Sequence, residues 1–434
     1  MNVINDTIQA LAMVVEKLPI GTNLALLQFY WMLVSGELLA SRGALFPALQ
    51  AMGLEEAEVR RSWAAFRYGA WDIESMLRTW REHVESEGQW QGHQYEGYYA
   101  KAVDLTAYWR PTLKGLKTKH YDAQADKALP AVVLGMIGRV GSVGKQRMAL
   151  LTDLVRSDPN DPSEAALQAR LVQRVAEGLT EDEMPIFDAG FKISELHDAG
   201  LPRFLVRLPK NFTARRNYLL DYNGSGRPAE YGKRVRPLPR TYRGKVIAAT
   251  PPDRETTWQV DGFEFRAEFW DDLVLPELKP DSEHQTFNVV AVYDPRFDEP
   301  WLLACPLKLS GGSFWGLYHD RWPIEQLPLA AKHMVGAHRQ FVFAPESSQR
   351  LPELSLLAGS IQTYLAAISS PIPTGFWDRR PKQTPGRLRR LLSRTHFSDL
   401  ADLLPYRIRK KASVTDHLPK GIHAHRRTRQ PVPV

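Results

Sequence analysis

The spacing of apolar residues changes near residue 100, and this change most limits what the 434-residue chain can fold into. Before it, apolar side chains recur at helical intervals over 8–18, 24–39 and 59–80. After it, short runs alternate with polar residues or are rich in β-branched residues, as over 101–108 and 131–136. We therefore expect a helical N-terminal part followed by an α/β layer.

Changes in composition predict five segments. They are a helical N-terminal domain over 1–99, the first part of an α/β core over 100–208, a β-rich basic insertion over 209–285, the second part of the core over 286–370, and a basic C-terminal tail over 371–434. Outside the tail we also expect strands over 185–187 and 203–208, a glycine-rich basic loop over 135–147, and helices over 146–154, 163–177 and 354–368. A further helical stretch is expected over 312–343, interrupted by Pro323 and Pro328.

Bulk composition is that of a soluble globular protein, with 44% apolar and 24% charged residues. The apolar run over 24–34 is shorter than the ~20 residues that a membrane-spanning helix needs, so no membrane is expected as a partner. The N-terminus lacks the features of a signal peptide, so the cytoplasm is the predicted location. The single cysteine, Cys305, excludes an internal disulfide and a cysteine-based zinc cluster.

Positive charge is concentrated in two stretches of a chain whose net charge is +7. Residues 201–250 contain 12 Lys and Arg against 2 Asp and Glu, and residues 371–434 contain 15 against 4. Each stretch suits the DNA backbone, whose binding releases condensed counterions, or forms a solvated basic loop. In the tail, His417, His423 and His425 lie among arginines, and we expect them to help bind DNA rather than metal. The residues expected to contact DNA in the first stretch are Arg215, Arg216, Lys233 and Arg234.

A possible helix-turn-helix lies in the N-terminal part. Gly53 separates helical patterns over 45–52 and 55–66 and permits a tight turn between them. The second helix contains arginines that favour DNA and glutamates that oppose it: Arg60, Arg61, Arg67, Glu55, Glu56 and Glu58. A DNA-reading module and a helical packing domain both fit this pattern.

Two aspartates stand in or after predicted strands. Asp104 lies within VDLTAYWRP, and Asp188 ends the strand in PIFDAGF. Carboxylates at strand ends form sites for hard cations such as Mg²⁺, but they also form turns and cap helices. Each aspartate alone therefore leaves both interpretations open.

The segment 318–332 is more specific. Tyr318, Arg321, Glu325 and Lys332 are spaced so that they share one face of a continuous helix. Such a face combines groups that hold phosphate with a carboxylate that holds metal. An exposed helix face with an i,i+4 ion pair is the alternative. We expect Pro323 in the first turn of this helix and a kink at Pro328.

The spacing Tyr-x2-Arg-x3-Glu-x6-Lys is the signature of IS4-like DDE transposases, and this chain resembles that family at every position of it. VDLTAYWRP and IFDAGF are similar to the family's two aspartate strands, and FNVVAVYDPRFDEPWLLAC to the strand pair before the signature helix. The two aspartates are 84 residues apart, and Glu325 follows Asp188 by 137 residues, which leaves room for an insertion. The resemblance covers about residues 95–345.

This resemblance implies an RNase H-like catalytic core, a mixed β-sheet flanked by helices, in which Asp104, Asp188 and Glu325 bind two divalent ions. The ions would be Mg²⁺, with Mn²⁺ as a substitute. Arg321 and Lys332 would contact phosphates near a transposon end, and Tyr318 would do likewise or order the strand. Thr106 is similar to a threonine that follows the first aspartate. An insertion tryptophan stacks on a flipped base in some relatives, which makes Trp258 a candidate, although Trp258 and Trp270 also fit a small β core.

The implied reaction is two-metal-dependent DNA cleavage at transposon ends, followed by strand transfer into target DNA without a covalent protein intermediate. Its partners are double-stranded DNA, both terminal inverted repeats and target, and a second copy of the chain that makes a homodimer on DNA. Two alternatives stay open: an RNase H-like nuclease without strand transfer, and an inactive transposase-derived DNA-binding protein. A P-loop is excluded, because Arg139 and Gln146 stand where its glycine and Ser or Thr are needed.

Overall fold

The computed structural model describes residues 3–222, 224, 227–280 and 285–410. The chain divides into two compact units. We call them the helical unit, which comprises Met1–Gln89 with Leu327–Val434, and the sheet unit, Trp90–Gln326. Among the described residues, none of the helices combines the length and apolar character needed to cross a lipid bilayer.

Two helices with apolar residues on every side form the centre of the helical unit. Of these, α2 is buried along nearly its whole length, and the long C-terminal helix α11 is buried over most of its length. Helices that are apolar all round are buried in this way because no face suits water. The helices of this unit are α1 (Val3–Val15), α2 (Thr22–Ser35), α3 (Glu37–Ala40), α4 (Leu45–Gln50), α5 (Glu56–Tyr68), α6 (Ile73–Glu87), α11 (Pro345–Ile368) and α12 (Pro385–Leu392), followed by a 3-10 helix, Phe397–Leu403.

The predicted helix pair in the N-terminal part is confirmed as α4 and α5. Gly53 has φ of 76°, a left-handed conformation that favours glycine and lets the chain turn between them. On α5, Arg60 is exposed and pairs with Glu56 at 2.5 Å, whereas the Arg67 guanidinium lies 5.0 Å from the Trp63 ring centroid. DNA reading by α5 stays a prediction.

The sheet unit is mixed α/β, with a large mixed sheet flanked by helices. Fourteen strands of the described residues form this sheet, and β11 and β12 pair separately. The strands are β1 (Trp90–Gly92), β2 (Gln94–Tyr95), β3 (Tyr98–Trp109), β4 (Lys119–Asp122), β5 (Lys127–Val143), β6 (Gln146–Arg156), β7 (Glu183–Phe187), β8 (Leu205–Arg207), β9 (Ala214–Arg216), β10 (Arg234–Val235), β11 (Arg240–Tyr242), β12 (Lys245–Ile247), β13 (Arg254–Val260), β14 (Phe263–Val274), β15 (Phe287–Tyr293) and β16 (Trp301–Cys305). Its helices are α7 (Glu164–Glu177), α8 (Ile193–Asp198), α9 (Gly311–His319) and α10 (Pro323–Leu329), whose last turn passes into the helical unit.

The pairing of neighbouring strands changes twice across the sheet, from antiparallel to parallel between β3 and β7 and back to antiparallel between β8 and β16. Strands β3, β5 and β6 are antiparallel neighbours, whereas β7 lies parallel to β3, and β8 parallel to β7. Helix α7 connects β6 to β7, and helix α8 connects β7 to β8. Beyond β8 the sheet continues through β16, β15 and β14, all antiparallel, to β9 and β10. Strands of the predicted insertion therefore extend the main sheet.

Two predictions for residues 135–154 are wrong. The expected helix over 146–154 is strand β6, and the expected basic loop over 135–147 is mostly strand β5, with its turn near Gly144. Two of the glycines in β5 lie where a helix comes close to the strand. A Cβ at Gly135 would lie 2.9 Å from the Leu171 side chain of α7, and one at Gly138 would lie 2.8 Å from Ile324 of α10.

The predicted helical stretch over 312–343, interrupted by Pro323 and Pro328, is confirmed only in part, because it forms three short elements and ends at Met334. Helix α9 ends at His319, α10 begins at Pro323, and a π-helical turn, Ala330–Met334, follows α10. Pro323 starts α10 as expected, since its missing N–H is not needed in a first turn. Pro328 cannot donate to the carbonyl four residues before it, and the wider π-helical turn follows directly. The signature residues therefore do not share one face of a single helix.

The division into units also differs from the predicted segments. The sheet unit begins at Trp90 rather than at residue 100, because β1 pairs with the far end of β5. Residues 327–370 group with the helical unit, since α11 packs against α2 and α5. The third carboxylate of the signature, Glu325, stays in the sheet unit with Asp104 and Asp188.

Leu171 tests the packing of α7 on the sheet. Its side chain is fully buried in the core of the sheet unit and lies above Gly135. We expect Leu171→Ala to lower the free energy of unfolding by about 2–5 kcal/mol, from lost apolar burial and the cavity left behind. Urea unfolding measures this loss. Arg170→Ala, one residue away but exposed, is the control and should change the free energy by less than about 0.5 kcal/mol; equal losses would contradict the assigned packing.

Candidate active site

Two carboxylates lie at the same level on neighbouring parallel strands. Ala102 of β3 is opposite Ile186 of β7, so two residues further along each strand bring Asp104 level with Asp188. Asp104 lies inside β3, and its Oδ1 accepts the N–H of Leu105 at 2.8 Å. Asp188 follows the last residue of β7. The 84-residue separation in sequence is therefore also the register offset of the two strands.

Arg321 lies between these aspartates and the third carboxylate. Its Nη1 is 3.7 Å from Asp104 Oδ2 and 3.8 Å from Asp188 Oδ2, and its Nη2 donates to Glu325 Oε1 at 2.6 Å. The Arg321 side chain is only 6% exposed, whereas those of Asp188 and Glu325 are 40% and 44% exposed. One buried guanidinium thus faces three carboxylates, of which Asp188 and Glu325 are open to solvent and Asp104 is mostly buried.

The break between α9 and α10 makes this arrangement possible. Arg321 lies in the turn between the two helices, and Glu325 lies in the first turn of α10. Both the Arg321 and Glu325 side chains can therefore approach Asp104 within β3 and Asp188 after the end of β7. Within the described residues, no three His, Cys, Asp or Glu side chains are grouped as ligands of one metal ion. The common partner of the three carboxylates is the guanidinium.

A second arginine, which the sequence reasoning missed, extends the positive side of the site. Nη1 of Arg207, the last residue of β8, donates to the hydroxyl of Tyr318 at 3.3 Å. That hydroxyl lies 3.5 Å from Asp188 Oδ1. Tyr318 is itself fully buried and packs on Trp301, with ring centroids 5.2 Å apart. A lone arginine at the end of the apolar run FLVRL was the available signal.

Burial and like charge shift the protonation of Asp104. The pKa of Asp104 is raised to about 6, first by burial and also by the charges of Glu325 and Asp188, against the opposing effects of Arg321 and the Leu105 N–H. Burial alone would lower the pKa of Arg321, but the surrounding carboxylates hold it above its ordinary value. Arg321 is thus a permanent cation beside a carboxyl that titrates near neutral pH.

Two further residues that the family resemblance singled out, Lys332 and Thr106, lie in different elements of the structure. Lys332 belongs to the π-helical turn of the helical unit, where its carbonyl lies 2.8 Å from Nδ1 of His338. Thr106 is buried in β3, two residues beyond Asp104 and opposite Leu134 of β5. The DNA contact predicted for Lys332 and the supporting role predicted for Thr106 stay predictions.

Of the four basic residues of the insertion that were predicted to contact DNA, two form hydrogen bonds within the protein. Arg215 donates to the carbonyls of Pro276 and Gly232, and both terminal nitrogens of Arg216 donate to Asp253 at 2.6 Å. These two arginines therefore stabilise the insertion. The other two, Lys233 and Arg234, are exposed. The tail histidines His417, His423 and His425 lie outside the described residues.

Trp258 packs against protein. Its ring stacks on Phe265 with centroids 5.5 Å apart, and a Cβ at Gly311 would lie 2.6 Å from it. Trp270 is fully buried, and its indole N–H donates to the carbonyl of Thr250 at 3.0 Å. Both positions fit the interpretation that these tryptophans fill the core, and base stacking by Trp258 stays a prediction.

Comparison with known proteins adds no assignment. No protein-family model matches the sequence. No curated protein matches it either.

The raised pKa of Asp104 predicts how stability depends on pH. The pKa of Asp104 is about 6 in the folded protein and 3.8 ordinarily, so the protonated carboxyl stabilises the folded state. This contribution to the free energy of unfolding is complete below pH 3.8 and is lost as the pH rises through 6. Asp104→Asn, which stays neutral, should raise the free energy of unfolding at pH 7.5 by on the order of 2 kcal/mol. This gain should vanish near pH 4.

Urea unfolding in a chelating buffer from pH 4 to pH 8 measures the effect. Glu264→Gln removes a charge from an exposed position of β14 and should change stability little at any of these pH values. A gain from Asp104→Asn that does not vary with pH would mean that the charge of Asp104 is not destabilising.

Proposed function

We propose that this protein is a metal-dependent DNA transposase of the DDE type, similar to the IS4-like enzymes. One observation carries the proposal: Asp104, Asp188 and Glu325, from β3, the end of β7 and α10, all lie within 4 Å of one guanidinium. Carboxylates far apart in sequence rarely converge without a common cation. The resemblance of the signature and of the two aspartate segments to one family, which implied this set from the sequence, is independent support.

The strand order supports an RNase H-like core. Three antiparallel strands, β6, β5 and β3, are followed by two parallel strands, β7 and β8, each reached through a helix. This is the arrangement expected of an RNase H-like sheet, with the first aspartate on its central strand and the second after the neighbouring parallel strand. The strands beyond β8 would be the family's insertion.

The donor set fits divalent cations. Oxygen ligands from carboxylates suit Mg²⁺ and Mn²⁺, and three carboxylates against one guanidinium leave an excess of negative charge. Asp104, Asp188 and Glu325 would hold the ions, whose charge would favour the ionised form of Asp104. Ions held there supply Lewis acidity to a phosphodiester.

The protein's own residues bind and orient the DNA. Arg207 and Arg321 place two guanidinium groups beside the carboxylates, where each can pair with phosphate oxygens. The Tyr318 hydroxyl is buried between Arg207 and Asp188, so it would order these two side chains rather than contact the DNA itself. Arg321 is nearly buried and paired with Glu325, so the orientation of its guanidinium is fixed before DNA binds. Less conformational entropy is then lost when the DNA is bound.

The proposed partners are a pair of transposon ends, the target DNA and a second copy of the chain that holds the other end. The exposed Lys233 and Arg234 would add contacts to the DNA backbone. The proposal requires strand transfer as well as cleavage, so the two alternatives from the sequence become outcomes of the test. Cleavage without joining would indicate a nuclease, and end binding without cleavage an inactive descendant.

Loss of any carboxylate should abolish DNA cleavage. We expect Asp188→Asn and Glu325→Gln, which keep side-chain size, to lower the cleavage rate at terminal repeats taken from the DNA flanking the gene by at least about 10³-fold. Gel analysis with Mg²⁺ or Mn²⁺ measures cleavage and joined product. Glu264→Gln is the control and should keep the wild-type rate. Undiminished cleavage by Asp188→Asn would exclude the assigned metal ligands.

Metal binding without DNA gives a second test, which does not depend on activity. Arg321 competes with a divalent ion for the three carboxylates, so Arg321→Gln should lower the dissociation constant of Mn²⁺ by roughly 10-fold through loss of a nearby positive charge. Electron paramagnetic resonance of free Mn²⁺ measures it. Asp188→Asn should weaken binding.

Arg60→Gln is a matched control, since Arg60 pairs with Glu56 across the same i,i+4 spacing on an exposed helix face. It should leave Mn²⁺ binding unchanged. Equal affinities in Arg321→Gln and the wild type would show that Arg321 and the metal do not share the carboxylates.

A further inference from the structure

The hairpin between β2 and β3 contacts both ends of helix α9, the helix that carries Tyr318 and leads into Arg321. These contacts come from three residues within one short stretch, His93, Tyr95 and Glu96. None of them belongs to the carboxylate site. Each of the three contacts the segment 310–320.

At the N-terminal end, Glu96 holds the first turn of α9. Its Oε1 accepts the N–H of Ser310 at 2.9 Å and the hydroxyl of Ser313 at 2.7 Å. Glu96 has φ of 48°, in the left-handed region that is uncommon for a residue with a side chain. The tight turn and the carboxylate together fix where α9 starts.

At the C-terminal end, Asp320 is fully buried and receives three polar groups. Its Oδ2 lies 2.8 Å from Nδ1 of His93 and accepts the Tyr95 hydroxyl at 2.8 Å. Its Oδ1 is 3.2 Å from Nη1 of Arg147, on β6. A buried carboxylate with this many partners has little freedom to move.

Tyr95 also touches the middle of the helix. A Cβ at Gly316 would lie 2.2 Å from the Tyr95 ring, so the ring lies directly on the helix backbone. The helix can neither slide along its axis nor rotate without disturbing one of these contacts. Asp320 immediately precedes Arg321, so the position of Asp320 sets where the Arg321 side chain starts.

We propose that Tyr95 and Asp320, with His93 and Glu96, are positioning residues that fix the α9–α10 turn, so that Arg321 points among the three carboxylates. We call this set the α9 clamp. The catalytic part of the inference rests on the proposed function. The structural part does not, because it concerns only the order of the turn.

Hydrogen exchange of the full-length protein tests the structural part. Tyr95→Phe removes one hydroxyl and keeps the ring, and Asp320→Asn keeps the size of the buried group. In each variant we expect amides of 317–326 to exchange about 10-fold faster, while amides of β5 stay as protected as in wild type. The double variant should exchange no faster than Asp320→Asn alone, since Tyr95 acts through Asp320.

Tyr121→Phe is the matched control, because the Tyr121 hydroxyl also donates to a carboxylate, that of Asp126, but on an exposed turn. It should leave exchange over 317–326 unchanged. Unaltered exchange in both Tyr95→Phe and Asp320→Asn would overturn the clamp. So would effects that simply add in the double variant.

DNA cleavage tests the catalytic part. Tyr95→Phe should lower kcat by about 10-fold, as expected for a displaced catalytic group, and leave KM for the terminal DNA unchanged. An unchanged kcat together with faster exchange would remove the link to catalysis. If wild type did not cleave DNA at all, the proposed function would fail, and hydrogen exchange alone would still decide the clamp.

Discussion

The contact between one buried guanidinium and three carboxylates determines how the site is built. Asp104, Asp188 and Glu325 bear like charges and would repel one another if they met without a cation. Arg321 reduces that repulsion, and the three elements that carry the carboxylates can then meet. The same contact explains why Asp104 titrates near 6 rather than higher: burial and two negative neighbours act against one positive neighbour.

The choice of Asp104, Asp188 and Glu325 came from the resemblance of their surrounding segments to one family, because local patterns left each aspartate equally compatible with a turn. The spacing of four residues between Arg321 and Glu325 was enough to predict their ion pair. What the spacing could not show was the break between α9 and α10. The signature residues were predicted to share a helix face, yet Arg321 reaches the site from a turn, and Lys332 lies in a π-helical turn of the other unit.

The errors in the fold have a common physical cause. Residues 135–154 contain glycines and a basic turn, which favour a loop, and a run of apolar residues that fits a helix as well as a strand. The glycines reflect tertiary contacts, since Leu171 and Ile324 come close to the β5 backbone. Local patterns carry no information on which distant helix will approach. The same holds for Arg207 and for Asp320, whose roles depend on partners more than a hundred residues away.

The glycines of β5 also affect how the protein can vary. Gly135 and Gly138 are three residues apart, so in a strand they lie on opposite faces, and each is approached by a different helix. Beside β3, which carries Asp104, β5 therefore has no side chain on either face at these two positions, and a helix can pack close to its backbone on each side. A mutational scan would show intolerance at these two positions as sharp as at the carboxylates, although neither glycine has chemistry to contribute. In an alignment of related sequences, invariant glycines in β5 would then reflect how closely the two helices pack on this strand. They could easily be mistaken for a functional motif.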